Sequence, residues 1–146
     1  MIVEIKINKI TSNAILPTKG SKEAACWDVH SLEDVTLDTK DVYPIRTGLA
    51  FEIPAGYCID VRPRSGLSSK GVIIKNAPGT IDSDYRGELL ILLQMTTNSW
   101  YGKYEISRGD RIAQIKLEKV IPIKFVVVNK LGNTDRGDNG FGSTGR

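Results

Sequence analysis

The stretch PAGYCIDVRPRSGLSSKG, residues 54–71, alternates and then breaks. Tyr57, Ile59 and Val61 fall on one side and Cys58, Asp60 and Arg62 on the other, the period of a half-buried strand. Pro54 to Gly56 is a turn signal in front of it. Behind it, SGLSSKG suits one short helical turn following Pro63, with Ser65 as its cap. The same alternation recurs elsewhere: Val3, Ile5 and Ile7 oppose Glu4, Lys6 and Asn8, and Leu49, Phe51 and Ile53 run up to Pro54. Ala113, Ile115 and Leu117 oppose Gln114, Lys116 and Glu118. Two runs, Glu88 to Met95 and Ile123 to Val128, are apolar enough to read as strands covered on both faces. Further turn signals lie at Ala77 to Gly79 and at Tyr101 and Gly102, and no stretch holds a period of 3.6 for three turns. The pattern predicts an all-β chain, a sandwich, jelly roll or barrel, with one short helix.

The bulk composition narrows the function classes. A chain of 146 residues is one domain with room for a single core. The net charge of +3, from 20 Lys+Arg against 17 Asp+Glu, is too weak to indicate nucleic acid or membrane partners, so any functional positive potential must be local. Cys26 and Cys58 are far apart with no CxxC, which argues against a disulfide framework or zinc site and for a reducing compartment. No apolar run reaches the length of a membrane span, and the alternating N-terminus is unlike a targeting segment. The expected location is the cytoplasm.

Polar and glycine residues cluster between the strands. AACWDVHS carries Asp28, and RPRSGLSSKG carries Arg64, Ser65 and Gly66. NAPGTIDSDYRGE carries Asp82, Tyr85 and Arg86, SRGDRIAQ carries Arg111 and Gln114, and the tail is RGDNGFGSTGR. A guanidinium fork, a hydroxyl and exposed backbone N–H groups suit phosphate oxygens. The tail repeats that chemistry and adds Phe141, a flat ring able to cover a base. Asp28 and Asp82 suit a hard cation or the activation of water. The RGD triplets at 108–110 and 136–138 are short enough to arise by chance, and His30 has no companion ligands to make it a metal site; it reads as a surface or satisfied histidine. No Walker A loop is present.

These clusters resemble the ordered motifs of the homotrimeric dUTPase family: 24–29, 63–71, 76–88, 108–115 and 136–145. The resemblance spans nearly the whole chain. It implies a jelly-roll-like β-barrel subunit, with residues 1–128 as its core and 129–146 as a flexible glycine-rich C-terminal arm. It implies a homotrimer whose active sites lie between subunits, and an arm that orders over bound nucleotide. The implied reaction turns dUTP and water into dUMP and pyrophosphate, limiting uracil in DNA and supplying dUMP for dTMP synthesis. By the same resemblance Asp82 activates the water, while Asp28 acts through the hydration shell of Mg²⁺ held mainly by the triphosphate. Gln114, Arg64, Ser65 and Gly66 match phosphate contacts. Asn76, Gly79, Thr80 and Ile81 match the hairpin that reads uracil, and Tyr85 the ring that leaves a 2′-hydroxyl no room. Arg136, Gly142, Ser143 and Thr144 match the arm's grip on phosphates, and Phe141 the ring over uracil. Cys26, Trp27, Thr80 and Asn139 depart from the usual family residues. A dCTP deaminase of the same scaffold is the nearest enzymatic alternative, and a nucleotide-gated protein that signals to a regulatory partner is the other.

Overall fold

A computed structural model describes residues 2–96 and 102–140. The strands run β1 (Lys6–Lys9), β2 (Trp27–His30), β3 (Val35–Asp38), β4 (Val42–Arg46), β5 (Leu49–Glu52) and β6 (Tyr57–Arg62). The helical turn α1 (Ser65–Ser68) follows, then β7 (Val72–Ile74), β8 (Gly79–Ile81), β9 (Leu90–Met95), β10 (Lys103–Ile106) and β11 (Arg111–Lys119). Every pairing is antiparallel. The largest sheet has the order β2-β11-β6-β8, the next β4-β9-β7, and β1–β5 and β3–β10 form two ribbons. Neighbours in space come from distant parts of the sequence, so no single hairpin decides the topology.

One apolar core joins these sheets. Val29, Leu37, Leu49 and Ala113 are wholly inaccessible, and Ile59, Val61, Ile91, Leu93 and Ile112 are nearly so. The period-two reading of residues 57–62 holds, with Ile59 and Val61 buried and their neighbours half-buried. The PAG turn before it uses Gly56 at φ +85°, a left-handed conformation that favours glycine. On β9 only one face is covered: Ile91, Leu93 and Met95 are buried while Leu90 is exposed.

Two expectations fail beside the two-sided cover expected of Glu88 to Met95. Ile123 to Val128 form no strand in the single chain: β11 is the last strand among the described residues, and Phe125 and Val127 are 88% and 98% exposed. The composition there favours a strand, but a strand needs an edge to pair with, and no pairing among the described residues includes that segment. The helical turn begins one residue earlier than a Ser65 cap requires. Arg64 occupies the capping position, extended at φ −95° and ψ 132°, and no side chain caps α1. Ser65 is its first helical residue. No helix among the described residues is long and apolar enough to cross a membrane.

Candidate active site

The β2-β11-β6-β8 sheet has an apolar face turned to the core and a polar face turned out. Register puts Asp28 opposite Gln114 and Gln114 opposite Arg62, with Lys116, Asp60 and Thr80 in the next row. At the β2 end of this face a pocket of about 330 Å³ is lined by Cys26, Asp28, Arg64, Ser65, Gly66 and Gln114, among others. Arg64 Nε donates to Asp28 Oδ1 at 2.9 Å and its Nη1 to the Arg111 carbonyl at 3.0 Å. Arg111 Nη1 reaches Asp28 Oδ2 at 3.3 Å. A bulge between Arg111 and Ala113 lets β11 advance two residues against one on β2, shifting Arg111 out of the regular ladder beside Asp28. Gln114 Nε2 donates to the Pro63 carbonyl at 2.8 Å and so ties β11 to the residue preceding Arg64. Two guanidinium groups facing one carboxylate leave the pocket net positive, which suits an anion.

Arg111 is the pocket residue that motif reading under-rated. Its membership of the SRGDRIAQ cluster is visible in the sequence, but its clamp on Asp28 depends on the bulge. His30 corrects the expectation of a surface or satisfied histidine: it is buried, and Nδ1 has no partner among the described residues. Burial lowers its pKa; Asp28 works the other way, while Arg111 and Arg64 add to the lowering.

The 76–88 segment occupies the other end of the same sheet. Gly79 is buried on β8, where a Cβ would stand 3.2 Å from Asn76 Nδ2 and 3.6 Å from Val61 Cβ. That close approach is what the glycine permits. Thr80 turns its hydroxyl to Asp60 Oδ1 at 3.0 Å, so this side chain lies on the outer polar face. Ile81 packs partly into the core. Asp82 follows it, exposed, one residue beyond the Ile59–Ile81 pair. It lies close enough to Cys58 that, after burial and the charges of Asp60 and Glu118, its own charge helps push that thiol up.

Asp82 is therefore level with Cys58 and Glu118, four residues along β11 from Gln114 and three strands across from Asp28. At about 3.4 Å per residue and 4.8 Å per strand the separation is about 20 Å. One chain does not bring the two carboxylates together. Nor does it bring Arg136 to the cationic pocket: Arg136 Nε donates to the Asn139 carbonyl at 3.0 Å within a local turn. Phe141, Gly142, Ser143 and Thr144 lie outside the described residues.

The sequence model of the dUTPase family matches residues 12–145. The chain belongs to the dUTPase family. It is 46% identical over 145 residues to the deoxyuridine 5′-triphosphate nucleotidohydrolase of Nautilia profundicola, covering 99% of this chain and 100% of that one. It is 50% identical over 148 residues to that of Zymomonas mobilis, covering 99% of each. Among solved structures, the dUTPase of Staphylococcus bacteriophage 80alpha with dUPNHPP superposes with a TM-score of 0.87 at 28% identity, over 98% of this chain and 99% of that one. The architecture is that family's β jelly roll, and the chain is a nucleotide hydrolase.

A mutant dUTPase from S. aureus phage phi11 coordinates a structural Mg(II) ion; it matches with a TM-score of 0.76 and 26% identity, over 87% of this chain and 97% of that one. In this dUTPase-family chain no group of three His, Cys, Asp or Glu side chains among the described residues forms a metal cage. Asp28 is the acidic side chain of the cationic pocket, and its two oxygens already meet Arg64 and Arg111. That donor set fits Mg²⁺ carried on phosphate oxygens and reached through water, the usual habit of this cation.

Proposed function

We propose that this chain hydrolyses dUTP to dUMP and pyrophosphate, working as a homotrimer in the cytoplasm with each site built by more than one subunit. The observation that carries the reading is the division of one polar sheet face into two prepared halves, a cationic pocket around Arg64 and a hairpin bearing Asp82, about 20 Å apart. Association of copies is the means by which such halves meet. The exposed apolar segment 121–131 supports this, because it has the composition of a strand and pairs with no strand among the described residues. An apolar groove of about 560 Å³, lined by Ile2, Ile5, Leu16, Trp27, Phe51 and Leu117, among others, is a matching acceptor. A strand laid there by a neighbour would bury both surfaces. Residues 1–128 then act as the core and 129–146 as the arm.

The chemistry follows from the groups present. Arg64, with the N–H groups of Ser65 and Gly66 at the start of α1, binds phosphate oxygens; Gln114 holds the Pro63–Arg64 backbone in place. Asp28 would hold Mg²⁺ through water beside the triphosphate, and the ion would supply neutralisation of phosphate charge. Asp82 takes a proton from water as its oxygen attacks the α-phosphorus; the bond to the bridging oxygen breaks and pyrophosphate leaves. Rigid backbone from Asn76 to Ile81 reads the uracil edge, since a reversed donor–acceptor pattern leaves buried groups unpaired. Thr80 contributes its backbone only, because its hydroxyl is engaged by Asp60. Tyr85 lies against the deoxyribose. Arg136, Phe141, Gly142, Ser143 and Thr144 close over the nucleotide from the arm.

Product analysis with Mg²⁺ and, in separate reactions, dUTP, dCTP, dTTP and UTP tests this. The expected result is dUMP and pyrophosphate from dUTP alone, with Asp82→Asn lowering kcat by about 10²–10⁴-fold while KM is kept. Ammonia release from dCTP would establish the deaminase alternative instead. Binding of dUTP without turnover, together with capture of a protein partner, would favour the nucleotide-gated one.

A further inference from the structure

Gly87 is a glycine that its own backbone does not demand. Its φ lies outside the left-handed region, so a turn conformation does not explain it. What excludes a side chain is Tyr85. A Cβ on Gly87 would stand 2.5 Å from Tyr85 Cζ and 3.0 Å from Cε2, and closer still to the hydroxyl oxygen. The hydroxyl end of the ring therefore lies directly over a bare Cα, a seat that no other residue type offers.

The seat is firmly anchored. Tyr85 Oη donates to the Glu88 carbonyl at 3.1 Å. The Glu88 carboxylate accepts from Gly48 N at 2.8 Å and from Arg46 Nε at 3.1 Å. Thr47 Oγ1 donates to the Leu89 carbonyl at 2.7 Å, and Leu89 N donates to the Leu49 carbonyl at 2.8 Å. Leu89 itself is buried in the core. Backbone 87–89 is thus fixed to the β4–β5 connection, whereas the Tyr85 side chain above it is partly exposed and able to swing.

We propose that Gly87 is a positioning residue for sugar selection, acting through Tyr85. The proposal rests on the reading of Tyr85 as the ring facing deoxyribose and deepens it: the ring excludes a 2′-hydroxyl because Gly87 lets it lie down. A methyl group at position 87 needs carbon–carbon contacts of about 3.5 Å or more, so it lifts the ring by about 1 Å. Because the ring can yield into solvent, the change moves the selector and spares the fold.

The test compares kcat/KM for dUTP and for UTP in the full-length chain, in Gly87→Ala, in Tyr85→Ala and in the double variant. Gly87→Ala is expected to cut the dUTP-over-UTP preference by about 10-fold or more, the usual scale of a one-group steric discrimination, with its thermal midpoint close to the parent's. In the Tyr85→Ala background the same substitution is expected to change the preference no further. An unchanged preference in Gly87→Ala, or an equal loss whether or not Tyr85 is present, overturns the proposal. Should Gly87→Ala not fold, Tyr85→Phe decides. It removes only the bond to Glu88 and must lower the preference several-fold; a preference left intact refutes the seat. If the parent chain turns over no nucleotide, the hydrolysis reading fails separately, and the ratio of Kd values for dUTP and UTP decides the role of Gly87.

Discussion

Replacing Asp28 by Asn probes the cationic pocket, and its proposed hold on phosphate, most directly. The Asp28 side chain is only 12% exposed and meets Arg64 at 2.9 Å and Arg111 at 3.3 Å. The amide oxygen of Asn still accepts from Arg64, so the charge-assisted part of that bond is lost, about 1 kcal/mol. The Arg111 contact is longer and its partner half-exposed, which adds about 0.5 kcal/mol. The free protein should therefore lose about 1.5 kcal/mol, a fall of about 5 °C in Tm for a chain of this size. The bound state should behave differently. Without Mg²⁺ the phosphates take over as counter-charge to Arg64 and Arg111, and the variant no longer sets a carboxylate against them. Thermal unfolding at one protein concentration, with and without a non-hydrolysable dUTP analogue and in the absence of divalent metal, reads both effects through the linkage of binding to stability. The gap between parent and variant should narrow as analogue is added. A variant as stable as the parent when free, or a gap that widens with analogue, refutes the reasoning.

Truncation before Arg136 should leave the thermal midpoint unchanged, because the preceding segment is exposed, while kcat/KM for dUTP falls by about 10²-fold or more as positioning over the nucleotide is lost. If the chain is the proposed trimer, Val126→Asp should convert it to monomer in sedimentation experiments; an intact trimer would remove segment 121–131 from the interface. His30 is buried with its pKa lowered, chiefly by desolvation, so the unfolded chain binds a proton that the folded chain refuses. Its contribution is complete above about pH 6.5 and is lost as pH falls from there through the lowered folded value. Urea midpoints between pH 7.5 and 5.5 should show that slope, and His30→Gln should flatten it.

Alternation at residues 57–62 and 113–117 was enough to identify β6 and β11 and their buried faces, because a period of two is a local property of each strand. The ordered motifs were likewise legible, since they are contiguous stretches of residue type. Other features required neighbours distant in sequence. Residues 123–128 have strand composition yet join no sheet among the described residues, and Arg64 rather than Ser65 takes the capping position of α1. Thr80 faces Asp60 instead of a base pocket, and the bulge at Arg111 makes a clamp on Asp28. Gly87 is required by a ring two residues away and not by its own φ. The sequence by itself determined where the polar and glycine clusters lie along the chain and which face of β6 and of β11 is apolar. Only the tertiary structure decided that Asp28 and Asp82 stand at opposite ends of one sheet, because hydrophobic period sets which side is buried, whereas strand order and register arise from long-range pairing.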